Sequence, residues 1–99
     1  MVFEDVLQKI QEAVRAGRYE IADPHFLNEL MEDDLTTVDA ESAVLTGSVA
    51  ARYLDDPRGP RYRIVGRATD GRFVAVIARL KETGIPLFIT VYVETEQKP

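Results

Sequence analysis

One histidine and a set of arginines are the side chains of this sequence best suited to acting on a phosphate ester. His25, the only histidine, follows Asp23-Pro24 at what reads as a helix start. There the positive end of the helix disfavours an imidazolium, which suits a neutral general base or a hydrogen-bond acceptor. Arg58, Arg61, Arg63, Arg67, Arg72 and Arg79 crowd the second half of the chain. Guanidinium forks match phosphate oxygens and offset the negative charge that gathers in a phosphoryl transition state. Thr90 and Tyr92 stand two apart, so in a strand they share a face, as acid/base or substrate-anchoring groups would. Each signal has a plainer reading: a helix-start histidine that packs or caps, arginines on a solvated strand face, and a half-buried tyrosine. No glycine-rich nucleotide loop, serine elbow or paired-carboxylate spacing is present. A lone histidine without cysteine has no metal-binding spacing, so neither metal nor cofactor is expected.

Charge is divided unevenly along the chain. The net charge is -5, yet residues 1–50 hold eleven acids and three bases while residues 51–81 hold three acids and eight bases. A basic half can mark a phosphate-binding face, or its arginines can pair with acids on covering helices. The 99 residues fit one domain, expected over residues 1–96 with a frayed tail at 97–99. With no cysteine, a disulfide framework is excluded, in agreement with a reducing compartment. No apolar run is long enough to span a bilayer and no leader pattern is present. A cytoplasmic protein without a membrane partner is expected.

Three helices are expected to position these groups. Phe3, Val6, Leu7, Ile10 and Val14 recur at helical spacing over 2–16, with Gly17 closing the helix. Residues 18–22 read as an extended linker or edge strand. Asp23 as N-cap and Pro24 at the first helical position open a second helix over 24–32. Thr36, with Asp39 three residues on, opens a third over 37–46, ending at Gly47. A strand over 48–54 and the loop Asp55-Asp56-Pro57-Arg58-Gly59-Pro60 lead to residues 61–93, three β-branched and aromatic runs that read as a β-meander. The fold class expected is α+β, with three helices on one face of a four-stranded antiparallel sheet.

Turn lengths decide which side chains share a face. A two-residue turn at Asp70-Gly71 pairs Ala68, Gly66, Ile64 and Tyr62 with Phe73, Ala75, Ile77 and Arg79. A four-residue loop at 81–84 puts Val74, Val76, Ala78, Leu80, Leu87, Ile89 and Val91 on one aliphatic side, the seat for helices. The other side, with Ile64, Phe73, Phe88, Thr90 and Tyr92, is then aromatic and open. An odd-length loop would reverse the last strand.

A histidine at a helix start, the D-D-P-R-G-P of residues 55–60, Gly66 near a strand end, Gly71-Arg72 after a turn and the terminal Ile89-Thr90-Val91-Tyr92 together resemble the bacterial domain of unknown function 4258. The resemblance covers nearly the whole chain and is best in the second half. That family is similar to small toxins of the RelE and BrnT type. The resemblance implies metal-independent RNA cleavage: the ribose 2′-OH attacks the neighbouring phosphate, His25 or Tyr92 serves as base or acid, and Arg61 and Arg67 hold the phosphate. Arg58, Arg63, Arg72 and Thr90 would line the substrate, and RNA and an antitoxin would be the partners. Where the family commonly has arginine four residues after the histidine, this chain has Glu29, which repels phosphate. The competing reading is a non-catalytic protein-interaction module or homodimer that uses its exposed aromatic surface.

Overall fold

The computed structural model describes residues 2–95; the tail expected at 97–99 and the side chain of Phe3 lie outside the described part. The elements run α1 (Val2–Arg15), β1 (Glu20–Ile21), α2 (His25–Glu32), α3 (Thr37–Thr46), β2 (Ser48–Tyr53), β3 (Arg61–Arg67), β4 (Phe73–Leu80) and β5 (Pro86–Val93). The meander from β2 to β5 is antiparallel, but the sheet has five strands in the order β1-β5-β4-β3-β2. The fifth is β1, which pairs parallel to β5 through Glu20 with Leu87 and Ile21 with Phe88. Two residues are too few for alternation to declare a strand; the backbone amides and carbonyls of β5 recruit them.

Helix ends follow local chemistry. Gly17, at φ 73, closes α1: its N–H donates to Val14 and that of Arg18 to Ala13, the two bonds of a Schellman turn. Thr36 and Asp39 form a capping box on α3. The start of α2 departs from expectation, because Pro24 occupies the N-cap position and no side chain caps it. The Ala22 carbonyl accepts the Phe26 N–H there, at 2.7 Å. At its far end, where Asp33 and Asp34 oppose the helix dipole, Arg72 donates to both of their carbonyls at 3.0 and 2.9 Å and supplies the cation that the dipole favours.

The β3–β4 and β4–β5 hairpins use the same three-residue turn. Gly71 (φ 93) donates to Ala68, and Ala68 to Arg72; Gly84 (φ 88) donates to Lys81, and Lys81 to Ile85. This is a tight turn followed by a positive-φ residue, the place where glycine costs least. The first turn therefore spans 69–71 rather than two residues. Arg67 pairs with Phe73, Gly66 with Val74 and Ile64 with Val76, one residue out of the expected register. The slip sends Tyr62, Ile64 and Gly66 to the helix side and leaves Arg61, Arg63 and Arg67 on the other. The odd second turn likewise carries Phe88 under the helices, where it is fully buried and stacks on Tyr19. A bulge between Ile77 and Ala78 of β4 and the facing residues of β5 restores the phase. Val91 returns to the core, while Thr90 and Tyr92 face out.

The core lies between the helices and one sheet face: Ile10, Phe26, Ala43 and Val44 meet Ile64, Val74, Val76 and Phe88, all fully buried. Where the edge strands run out, helix side chains take over their hydrogen bonds. Glu29 and Asp33 accept the N–H groups of Val91 and Val93 at 3.0 and 2.7 Å. On the opposite edge Thr46 accepts from Arg67 N–H and Ser42 donates to its carbonyl. The backbone groups of Val91, Val93 and Arg67, which lie beyond the ends of the neighbouring edge strands, are thus satisfied. Among the described residues no helix is long and apolar enough to cross a membrane.

Candidate functional site

On the sheet face that the helices leave open, β3 presents three arginines, and each guanidinium lies over an aromatic ring. Arg61 stands over Tyr53 at 5.4 Å, Arg63 over Tyr92 at 6.0 Å and Arg67 over Phe73 at 4.2 Å from the ring centre. Alternation along one strand brings them to a common face, and the neighbouring strands bring the rings beside them. The contacts hold the cations extended and partly desolvated.

Each cation has a further anchor. Arg61 meets Asp55 at 3.0 Å. Arg63 donates through Nε to the Tyr92 hydroxyl at 2.9 Å and pairs with Glu94. The Tyr92 bond, more than Glu94, holds Arg63 above its ordinary value against the opposing effect of burial. Because the Tyr92 oxygen accepts from Arg63, its own proton is left to donate outward. Arg67 reaches only the Gly71 carbonyl, at 3.2 Å, and among the described residues no acid pairs with it.

Thr90, opposite Ile77, shares this face. The structure thus brings together Arg61, Arg63, Arg67, Thr90 and Tyr92. It does not bring His25 or Arg72 to them. Arg58 lies at the end of the row beside Arg61: it pairs with Asp56 at 3.0 Å, and Asp56 also lies 3.9 Å from Arg61 Nε; the Arg58 contact lowers the Asp56 carboxyl and raises the guanidinium. Arg72 is spent on Asp70 and the end of α2. His25 belongs to the helix layer, with Nε2 3.2 Å from Glu29, whose other oxygen holds the β5 backbone. Its side chain is 60% exposed, and exposed pairs of this kind contribute about 0–1 kcal/mol. His25→Ala is therefore expected to move the unfolding free energy by less than about 1 kcal/mol in urea titration; a loss of several would give the ring a larger part.

Sequence reasoning missed Tyr53 and gave Glu94 no part in the site. Arg79 was one cation among six. The missing signal was turn length: a three-residue turn at 69–71 makes Arg79 the cross-strand neighbour of Arg61 and places both on the arginine face. Among the described residues no group of three or more histidine, cysteine or acidic side chains could hold a metal ion.

Fold and face define an α+β domain with a helix-covered side and a basic, aromatic open side. A family model described as a domain of unknown function (DUF4258) matches residues 23–93, and the chain belongs to that family. The match takes in α2 through β5 and leaves out α1 and β1. No curated protein and no solved structure matches the chain.

Proposed function

We propose that this domain binds cytoplasmic RNA on the open face of its sheet, with the phosphodiester backbone laid along β3. The observation that carries the reading is the row of Arg61, Arg63 and Arg67, each set against an aromatic ring. Cations that follow a backbone, interleaved with π surfaces for bases, are what single-stranded nucleic acid requires. Thr90 and Tyr92 offer hydroxyls on the same face. The overall charge of -5 limits non-specific attachment and leaves recognition to this one surface.

The test is fluorescence anisotropy with a short single-stranded RNA over a range of salt. With three arginines on phosphates, log affinity should fall against log salt with a slope of about -2, and Arg67→Gln should reduce that slope by about 0.7. An RNA that does not bind, or binds with no salt dependence, would end the reading and turn the same face toward an acidic protein segment, an antitoxin or a second copy of the chain.

The Arg63–Tyr92 contact favours a second reading, cleavage of the bound RNA, in line with the resemblance to RelE- and BrnT-type ribonuclease toxins. In that reaction the ribose 2′-OH attacks phosphorus and releases its proton to solvent water, a 2′,3′-cyclic phosphate forms as the P–O5′ bond breaks, and Tyr92 gives its proton to the departing oxygen while Arg61 and Arg67 offset the charge on the phosphate. His25, tied to Glu29, takes no part. RNA incubated with the protein in chelator should shorten on a denaturing gel, and Tyr92→Phe should abolish the products. Intact RNA in the wild-type lane would refute cleavage and leave binding standing.

A further inference from the structure

At the end of the sheet where β3 begins, the 54–60 loop and the 81–85 loop wall a depression of about 660 Å³, lined among others by Arg58, Gly59, Arg79, Lys81 and Glu82. That volume suits a ligand of nucleotide size. Three of its lining groups are cations and one is an acid. Arg58 is held by Asp56, and Lys81 by Glu20 at 2.8 Å, so both stand fixed at the rim with their charge already answered. Arg79 is different. Its Nε is buried without a hydrogen-bond partner, and among the described residues no acid pairs with it. Its cross-strand neighbour is a second arginine, Arg61, whose Nε is also buried without a hydrogen bond but whose terminal nitrogen has Asp55. Gly59, at φ 129, brings the loop backbone over the Arg79 stem, in a conformation that side chains other than hydrogen rarely adopt. A half-buried guanidinium whose Nε has no hydrogen bond and which no acid answers is a ready site for an anion.

We propose that this depression receives the terminal phosphate monoester of a bound strand, with Arg79 as its principal ligand and Arg58 and Lys81 at its rim. The inference rests on the RNA reading and adds to it the end of the strand. Arg61, the last of the row Arg67, Arg63 and Arg61, is the cross-strand neighbour of Arg79, so a backbone that follows the row brings its end to this depression. A monoester carries nearly twice the charge of an internal diester, matching the one lining cation of the depression that no acid answers among the described residues.

The experiment compares strands of one sequence ending in hydroxyl, 5′-phosphate or 3′-phosphate, on the wild type and on Arg79→Gln, with AMP titrated separately and followed by amide resonances. One phosphorylated end should bind about tenfold tighter than the hydroxyl end, as a charge-assisted bidentate contact provides. Arg79→Gln should erase that gain, so that phosphorylated and hydroxyl-ended strands bind the variant within about twofold of each other. AMP should shift the Gly59 and Lys81 amides of the wild type and not those of the variant, and matching unfolding midpoints confirm that the variant is folded. If the hydroxyl-ended strand binds and neither phosphate helps, or if the gain survives in Arg79→Gln, the subsite is overturned and the RNA reading stands. If no strand binds, the RNA reading falls; saturable AMP shifts that depend on Arg79 then sustain the subsite, and their absence ends it as well.

Discussion

Replacing Gly66 with alanine should cost about 4 kcal/mol and lower the melting temperature by about 20 °C, the largest effect expected of a one-methyl change in this domain. A Cβ at this position would lie 1.9 Å from the Ala43 carbonyl oxygen and 2.8 Å from its carbon and from Thr46 Oγ1. The obstruction is chiefly backbone, so no rotamer change relieves it. Helix α3 would have to lift from β3, drawing Ala40, Ala43 and Val44, all fully buried, away from the sheet. It would also disturb the Ser42 and Thr46 bonds to Arg67. Gly71 is the control: its φ is 93, but a Cβ there meets nothing within 4 Å, so Gly71→Ala should cost only the conformational strain of about 1–2 kcal/mol. Urea unfolding of the two variants separates the explanations. Equal losses, or a Gly66→Ala midpoint at the wild-type value, would show that the close approach of α3 is not required.

Gly66 was legible in the sequence only as a mark of resemblance; its physical role needed the packing of a helix that sequence cannot orient. The three helices were legible because each combines an apolar stripe with a defined end, as in the Gly17 turn and the Thr36–Asp39 box. The β2–β5 meander was legible from its β-branched runs. What failed was turn length. Asp70-Gly71 promised a two-residue turn, and the chain closes the hairpin over 69–71 instead. Side chains alternate with period two, so that single residue moved three core positions of β3 to the opposite side. The bulge in β5 then undid half of a second error. Turn geometry depends on the twist of strands already paired, and local sequence carries little of it.

The open face shows the same division. Residue types declared the chemistry, since arginines in the basic half and hydroxyls at Thr90 and Tyr92 were visible at once. Residue placement did not follow. His25, the most reactive side chain by type, is held by Glu29 in the helix layer, while Glu29, anomalous as a neighbour of phosphate, is explained by its bond to the Val91 amide. That bond links residues far apart in the chain, and no local pattern announces it. Arg72 misled in the same way, because a helix C-terminus attracts a cation for its own reasons.

Asp39→Ala should be the second large loss, about 3 kcal/mol, and it should reach the arginine face through the hairpin that carries it. Asp39 is buried and accepts four hydrogen bonds, from the Thr36 N–H and hydroxyl at 2.9 and 3.1 Å and from those of Thr69 at 3.0 and 2.6 Å. One carboxylate therefore caps α3 and fastens the 69–71 turn, whose length sets the side on which Arg67 emerges. The bond from the Thr69 hydroxyl, foremost among these contacts, pulls its pKa down from 3.8 to about 2. A depressed carboxylate stabilises the fold fully above its unfolded value, and the contribution fades as pH falls toward the folded one. At 1.36 kcal/mol per pH unit this linkage is at most about 2.4 kcal/mol, and solvent close to the group brings it to about 1–2. The stability gap between wild type and Asp39→Asn should accordingly be constant above pH 5 and narrow by about 1–2 kcal/mol between pH 5 and pH 2. A gap that stays level through that window would show that the four bonds do not depend on the charge. Amide exchange supplies the structural half of the test, for Asp39→Ala should speed exchange at Thr69 and Gly71 before the centre of β4 is affected.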